Sequence, residues 1–185
     1  MRKEPIHPLG PTLQTARLIL RPPVPEDVEP WAVMMADEQT ARFIGGVMPP
    51  SVVWRSLRTM IGCWAADGFG MFSVIERETG RWLGRLGPWY PGGWPAPEIG
   101  YGLIKEATGK GFATEGARAA GDWAVEALGW TEINHCIHPR NHPSQHVAAR
   151  LGAVNKGPVQ MPAPYEGEPV DLWGQTATEW KRRGR

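Results

Sequence analysis

Gly100-Tyr101-Gly102-Leu103-Ile104-Lys105-Glu106-Ala107-Thr108-Gly109-Lys110-Gly111-Phe112-Ala113-Thr114-Glu115 is the stretch that decides the fold. A strand, Glu98–Ile104, is predicted to run into it, and a long helix, about Ala113 to Leu128, to leave it. Gly109 and Gly111 sit at the junction. Such a turn presents free backbone N–H groups and a helix N-terminus to an anion. The glycines let that backbone approach a ligand without a Cβ in the way. Lys110 adds a positive charge, so a phosphate or pyrophosphate is the natural guest.

Two familiar phosphate loops do not fit. A Walker loop requires Gly at position 104 and Ser or Thr at position 111, where Ile104 and Gly111 stand. A dinucleotide fingerprint requires a third glycine at position 114, which is Thr114. A glycine-rich turn with no ligand is the plainest alternative.

Working outward, the helix after the loop carries Ala113, Ala117, Ala120, Ala124 and Leu128 on one face, small enough to lie close against a sheet. Gly129 ends it. Thr131–His138 reads as the next strand, and Pro143 starts a short helix that stops at Gly152. Upstream, Leu18–Arg21 reads as a strand and Pro25–Ala36 as a helix. Residues 37–50 read as a Gly/Pro loop. A second helix is capped at Ser51 and ends at Gly68, and a hairpin turns at Glu78-Thr79-Gly80. Pro88–Pro97 is a loop holding Trp89, Tyr90 and Trp94. Residues 157–169 form a second Pro-rich loop, with a strand expected within 170–180. Strands alternating with helices predict an α/β (α+β) domain around a mixed sheet. Residues 1–14 read as an extended arm and 15–185 as one domain.

The chain has 185 residues, with 23 glycines, 19 prolines and 10 tryptophans. Twenty basic residues nearly cancel 19 acidic ones, for a net charge of +1. That balance argues against nucleic acid as partner, since phosphate-backbone binding needs a basic surplus. Two cysteines make no disulfide framework and fit a reducing compartment. No apolar run is long enough for a membrane span, and the N-terminus lacks the apolar segment of a secretory signal. The expectation is a cytoplasmic protein.

Four pieces in order carry a family resemblance. Glu98-Ile99-Gly100-Tyr101 with Gly109-Lys110-Gly111-Phe112-Ala113-Thr114-Glu115 resembles the acetyl-CoA motif of GNAT-type N-acetyltransferases. Pro139-Arg140-Asn141-His142-Pro143-Ser144, then Ala149-Arg150-Leu151-Gly152-Ala153, resembles the second signature of the RimJ/RimL branch, which acetylates ribosomal-protein N-termini. Thr15-Ala16-Arg17-Leu18-Ile19-Leu20-Arg21 resembles that branch's first strand, and Thr178-Glu179-Trp180 its last. Thr108 stands where the superfamily often has Gln or Arg, and Ala153 where the branch commonly has an aromatic.

The resemblance implies the GNAT fold: a twisted, mostly antiparallel sheet of six to seven strands flanked by about four helices. It implies acetyl-CoA as cosubstrate, with its pyrophosphate on the amides of Gly109, Lys110, Gly111, Phe112, Ala113 and Thr114. The pantetheine arm would lie between two splayed strands, 98–104 and 131–138. It would pair with backbone near Leu103 and Ile104, with Asn141 on its amides. The acceptor is a primary amine, either a protein N-terminus or a small molecule. An ammonium has no lone pair, so a base must take a proton. The resemblance makes Glu98 the candidate for that base, through a water. It makes Ser144 the candidate to protonate the leaving thiolate, with Tyr165 as runner-up. Each has a plainer reading: Glu98 as a strand-start carboxylate, and Ser144 and Asn141 as helix-capping or turn residues.

Two other classes stay open on the sequence: a non-catalytic CoA-binding or sensor module, and a zinc or structural protein. His135, Cys136, His138, His142 and His146 cluster in the sequence. Their spacing matches no zinc finger and Pro139 and Pro143 interrupt it, so no metal is assigned. His138 is a secondary catalytic candidate. Trp89, Tyr90, Trp94 and the 157–169 loop either flank the acceptor mouth or cover the core edge. An exposed sheet edge and the Trp-rich loops are compatible with a homodimer.

Overall fold

A computed structural model describes residues 9–183. Leu13–Gln14 (β1) turns back through Thr15 onto Leu18–Arg21 (β2). The turn is closed by the Thr15 hydroxyl, which accepts from Leu18 N–H at 2.9 Å. Leu18 and Leu20 alternate into the core while Ile19 and Arg21 are half-buried, the period-two pattern of a one-sided strand.

A 3-10 turn, Pro25–Asp27, leads into Val28–Ala36 (α1). Asp27 is buried and closes this corner. It takes both guanidinium nitrogens of Arg21 at 2.8 Å. It also accepts from Ser73 Oγ at 2.6 Å and from Val24 N–H at 2.9 Å. The predicted loop 37–50 holds a short helix, Glu38–Ala41 (α2), because the Asp37 carboxylate caps it through Thr40 N–H at 2.7 Å.

Pro50–Asp67 (α3) starts one residue before the expected cap. Pro49 is its N-cap and Pro50 its first helical residue, so Ser51 lies inside the first turn. Val53, Leu57, Met60 and Trp64 face inward, and Gly68 ends the helix at φ +75°. Phe72–Glu76 (β3) and Trp82–Trp89 (β4) form the antiparallel hairpin, with Phe72 opposite Leu86 and Ser73 opposite Arg85.

Glu98–Leu103 (β5) follows, then Phe112–Ala127 (α4) and Glu132–Ile137 (β6). On α4, Ala117, Ala120 and Ala124 are wholly buried. Gly121 of the same helix lies directly under the Trp180 ring, where a Cβ would collide. His142–Leu151 (α5) ends at Gly152, φ +101°. Val154–Val159 (β7) and Val170–Thr176 (β8) pair antiparallel.

Two expectations for this region change. Residues 157–159 belong to β7, an edge strand whose register breaks between Asn155 and Pro158. Thr178-Glu179-Trp180 is helical, in Ala177–Arg183 (α6), and is not a last strand. The Glu179 carboxylate accepts from both the N–H and the hydroxyl of Thr176 at 2.8 Å, while Thr176 Oγ1 accepts from Glu179 N–H at 3.2 Å. That reciprocal pair starts a helix and stops β8.

The strands form one mostly antiparallel sheet in the order β1-β2-β3-β4-β5-β6-β8-β7. Among the described residues it has eight strands, more than the six to seven expected. The chain packs as two compact units. Among the described residues, one comprises the chain up to Leu86 together with Tyr101–Phe112; the other comprises Gly87–Gly100 together with the chain from Ala113 onward. In the first unit, Gly84 at φ +150° lets β4 approach β5 so closely that a Cβ would strike Gly102 O. In the second, β6 is central: it pairs antiparallel with β8 and parallel with β5, where Glu98 lies opposite Asn134.

Candidate active site

The glycine loop is built as its composition demands. After β5 a 3-10 turn, Lys105–Ala107, is closed by Thr108, whose hydroxyl donates to Lys105 O at 2.7 Å. Thr108 thus has a local structural task. Gly109 and Gly111 adopt φ +74° and +82°, the left-handed region that L side chains avoid. The space over Gly109 is open. Phe112 begins α4, so the first-turn N–H groups follow directly on the loop. Thr114 adds a hydroxyl that is buried and has no hydrogen-bond partner among the described residues. Free amides, two left-handed glycines and an unmet hydroxyl fit a phosphate group.

The two positions expected to meet pantetheine, Leu103 and Ile104, are both buried. Ile104 lies just past the strand, and its N–H is already donated to Leu83 O at 2.8 Å. Its carbonyl accepts from Ala107 N–H at 2.9 Å. Ile104 therefore closes the local turn instead of offering a free amide.

Glu98 starts β5 and is only 8 % exposed. Trp94 donates its indole N–H to Oε2 at 2.6 Å, and Cys136 donates its backbone N–H to Oε1 at 3.3 Å. The carboxylate is therefore held at both oxygens, which is more than a strand-start acid needs. Burial and the neighbouring Glu98 charge push the Cys136 thiol well above its ordinary value, so it stays protonated.

The aromatic loop packs around this carboxylate's partner. Trp94 makes edge contacts with Trp89 at 6.5 Å and with Tyr165 at 5.9 Å between ring centroids. Tyr165 is partly exposed and Tyr90 more so. The structure thus brings Glu98, Trp94 and Tyr165 into one cluster. Sequence reasoning assigned Trp94 no role toward Glu98. The only signal for it was an indole four residues before an acid in a rigid Pro/Gly loop.

Asn141 and Ser144 meet each other: Asn141 caps α5, its Oδ1 accepting from Ser144 N–H at 3.3 Å. Both are half-buried. The capping reading of Asn141 is therefore realised, and it leaves the Asn141 amide nitrogen as a donor. The histidines disperse. His135 is buried, its Nδ1–H on Ile99 O at 2.8 Å. Burial holds it neutral down to about 4, despite the Ile99 carbonyl, which favours the charged form. His138 Nδ1 accepts from Arg140 N–H at 3.0 Å, and exposed His142 lies beside Gln145. No group of three or more metal-ligating side chains gathers among the described residues.

Residues 17–154 match the family model of the acetyltransferase (GNAT) domain, so the chain belongs to the GNAT acetyltransferase family. The "Uncharacterized N-acetyltransferase p20" of Bacillus licheniformis is 27 % identical over 166 residues, 88 % of this chain and 93 % of that protein. An acetyltransferase of Agrobacterium tumefaciens str. C58 is 28 % identical, with TM-score 0.80 over 94 % of this chain and 98 % of the other. RimL, the ribosomal L7/L12 alpha-N-protein acetyltransferase solved with coenzyme A, shares the fold at TM-score 0.72 and 16 % identity, over 89 % and 97 % of the two chains. The protein is an acetyltransferase, and its family uses acetyl-CoA. No helix among the described residues is long and apolar enough to cross a membrane.

Proposed function

We propose that the protein transfers the acetyl group of acetyl-CoA to a primary amine by direct attack, with both substrates bound at once, and that residues 15–185 act as one catalytic domain. The amides of Gly109 to Thr114 take the pyrophosphate. The backbone at Leu103 pairs with the pantetheine arm, and the Asn141 amide donates to it. Glu98 accepts the proton of the incoming ammonium through a water. The freed lone pair attacks the thioester carbonyl, the C–N bond forms and the C–S bond breaks. The departing thiolate takes a proton from the Ser144 hydroxyl, and the proton that the acylated nitrogen sheds restores that hydroxyl. No covalent enzyme intermediate is required, because alignment of two bound substrates supplies much of the rate.

The observation that carries this reading is the Glu98 carboxylate, buried and fixed at both oxygens by Trp94 and Cys136. A base needs a defined position before its proton affinity matters. We further propose an acceptor of the RimJ/RimL kind, a protein N-terminus. The sequence signatures around Asn141 and Leu151-Gly152 and the shared fold of the L7/L12 enzyme support that choice. Thiol release from acetyl-CoA, measured with N-terminal peptides of ribosomal proteins against small amines, tests it. Turnover on peptides alone is the expected result. Turnover only on small amines removes the branch assignment, and none on either removes the amine acceptor. Glu98→Gln must lower turnover while leaving CoA affinity near wild type; unchanged turnover removes Glu98 from the chemistry.

A further inference from the structure

Arg17 lies 93 residues before Lys110 in sequence, yet its Nη1 donates to Lys110 O at 3.0 Å. The same guanidinium lies 4.4 Å from the centroid of the Phe112 ring. It also runs beneath Gly111, where an added Cβ would sit 3.4 Å from Arg17 Nη2. One side chain from the residue just before β2 therefore lies against three successive residues of the glycine loop.

Arg17 is itself held. Its carbonyl accepts from Arg77 N–H at 2.9 Å. The Arg77 guanidinium donates to Thr15 O at 2.7 Å and to Ala16 O at 3.3 Å. The β3–β4 hairpin thus fixes residues 15–17, and Arg17 transmits that position to the loop.

The peptide plane gives this contact a direction. In a trans peptide the carbonyl of residue 110 and the N–H of residue 111 point opposite ways. A loop with two left-handed glycines can flip that plane at little cost. Holding Lys110 O toward β2 turns Gly111 N–H away from it. The stacked Phe112 ring fixes the next position, where α4 begins.

We propose that Arg17 is a positioning residue for cofactor binding: by anchoring Lys110 O and stacking on Phe112, it aims the Gly111 amide at the CoA pyrophosphate. This rests on the proposed placement of the pyrophosphate on residues 109–114. The guanidinium acts through geometry, since it is exposed and its charge is screened.

The test compares CoA with pantetheine, which keeps the thiol arm and lacks every phosphate. Binding is measured by calorimetry on the purified full chain and on Arg17→Ala and Arg17→Lys. Arg17→Ala is expected to weaken CoA about tenfold or more, the loss of one charge-assisted hydrogen bond, and to leave pantetheine unchanged. Arg17→Lys can still donate to Lys110 O but loses the planar stack, so its CoA affinity falls in between. Equal weakening of CoA and pantetheine assigns Arg17 a general structural role and overturns the proposal, as does unaltered CoA binding. If Arg17→Ala does not fold, Arg17→Lys and Phe112→Leu must still weaken CoA selectively, or the proposal fails. Should wild-type protein bind CoA no better than pantetheine, the loop is not the pyrophosphate site, and the underlying reading fails instead.

Discussion

The indole N–H of Trp94 reaches Oε2 of Glu98 at 2.6 Å, four residues along the same loop-to-strand segment. A hydrogen bond to a carboxylate is among the stronger kinds, and with the Cys136 N–H on Oε1 it holds the group at both oxygens. Trp94→Phe keeps the ring among Trp89 and Tyr165 and removes only the donor. Turnover is expected to fall about tenfold, with CoA affinity unchanged. Steady-state kinetics beside a CoA titration measure this, and an unaltered kcat means the indole does not orient the carboxylate.

His135 predicts a pH dependence of folding. Burial lowers its folded value to about 4, against an ordinary value near 6.5. The unfolded chain therefore binds the extra proton first as pH falls. Stability from the neutral imidazole is complete above about pH 6.5 and declines as pH drops toward 4, by about 2–3 kcal/mol. Urea unfolding between pH 7.5 and 4.5 should show the slope, and His135→Gln should flatten it. A slope identical in both proteins would exclude His135 as its source.

Asp27 titrates in the opposite chemical sense but the same stability sense. Burial disfavours its charge, yet the Arg21 and Ser73 side chains and the Val24 amide overcome that and hold its carboxyl below the usual range. Its contribution is present above the ordinary value near 3.9 and is lost as pH falls through the folded one. Asp27→Asn leaves Arg21 without its anion and should cost about 2–4 kcal/mol at pH 7, with much less difference near pH 2. Guanidinium unfolding at both pH values decides.

Two glycines separate backbone freedom from space. At Gly80, φ +71°, none of the described residues lies within 4 Å of the point where a side-chain methyl would stand; at Gly84, φ +150°, a methyl would meet Gly102 O and Leu103. Gly80→Ala should cost about 1 kcal/mol, the left-handed penalty alone. Gly84→Ala should cost clearly more, because strand approach is blocked as well. Equal melting shifts would refute the packing argument.

What was legible in the sequence follows from how local each signal is. Gly68 and Gly152 ended their helices as expected, because a left-handed residue is demanded at the site itself. The Gly109–Gly111 turn and α4 were legible for the same reason. The helix at Thr178-Glu179-Trp180 was missed although its start was written out: Thr176 and Glu179 have the spacing of a reciprocal cap. β7 was obscured by Gly157 and Pro158 inside it, which an edge strand tolerates and a central one does not. Arg17 carried no sequence signal toward the loop. Its partner is 93 residues away, and only the β2–β3–β4 arrangement brings the two together.

Every residue that closes the Asp27 corner lies between Arg21 and Trp82. The direct partners of Asp27 are Arg21, Val24 and Ser73, and Trp82 joins through its indole N–H on Ser73 Oγ at 3.2 Å. Every one of these residues precedes the glycine loop in the order of synthesis. Nothing beyond Trp82 is needed to close this clasp, so a growing chain can form it while its C-terminal part is still being made.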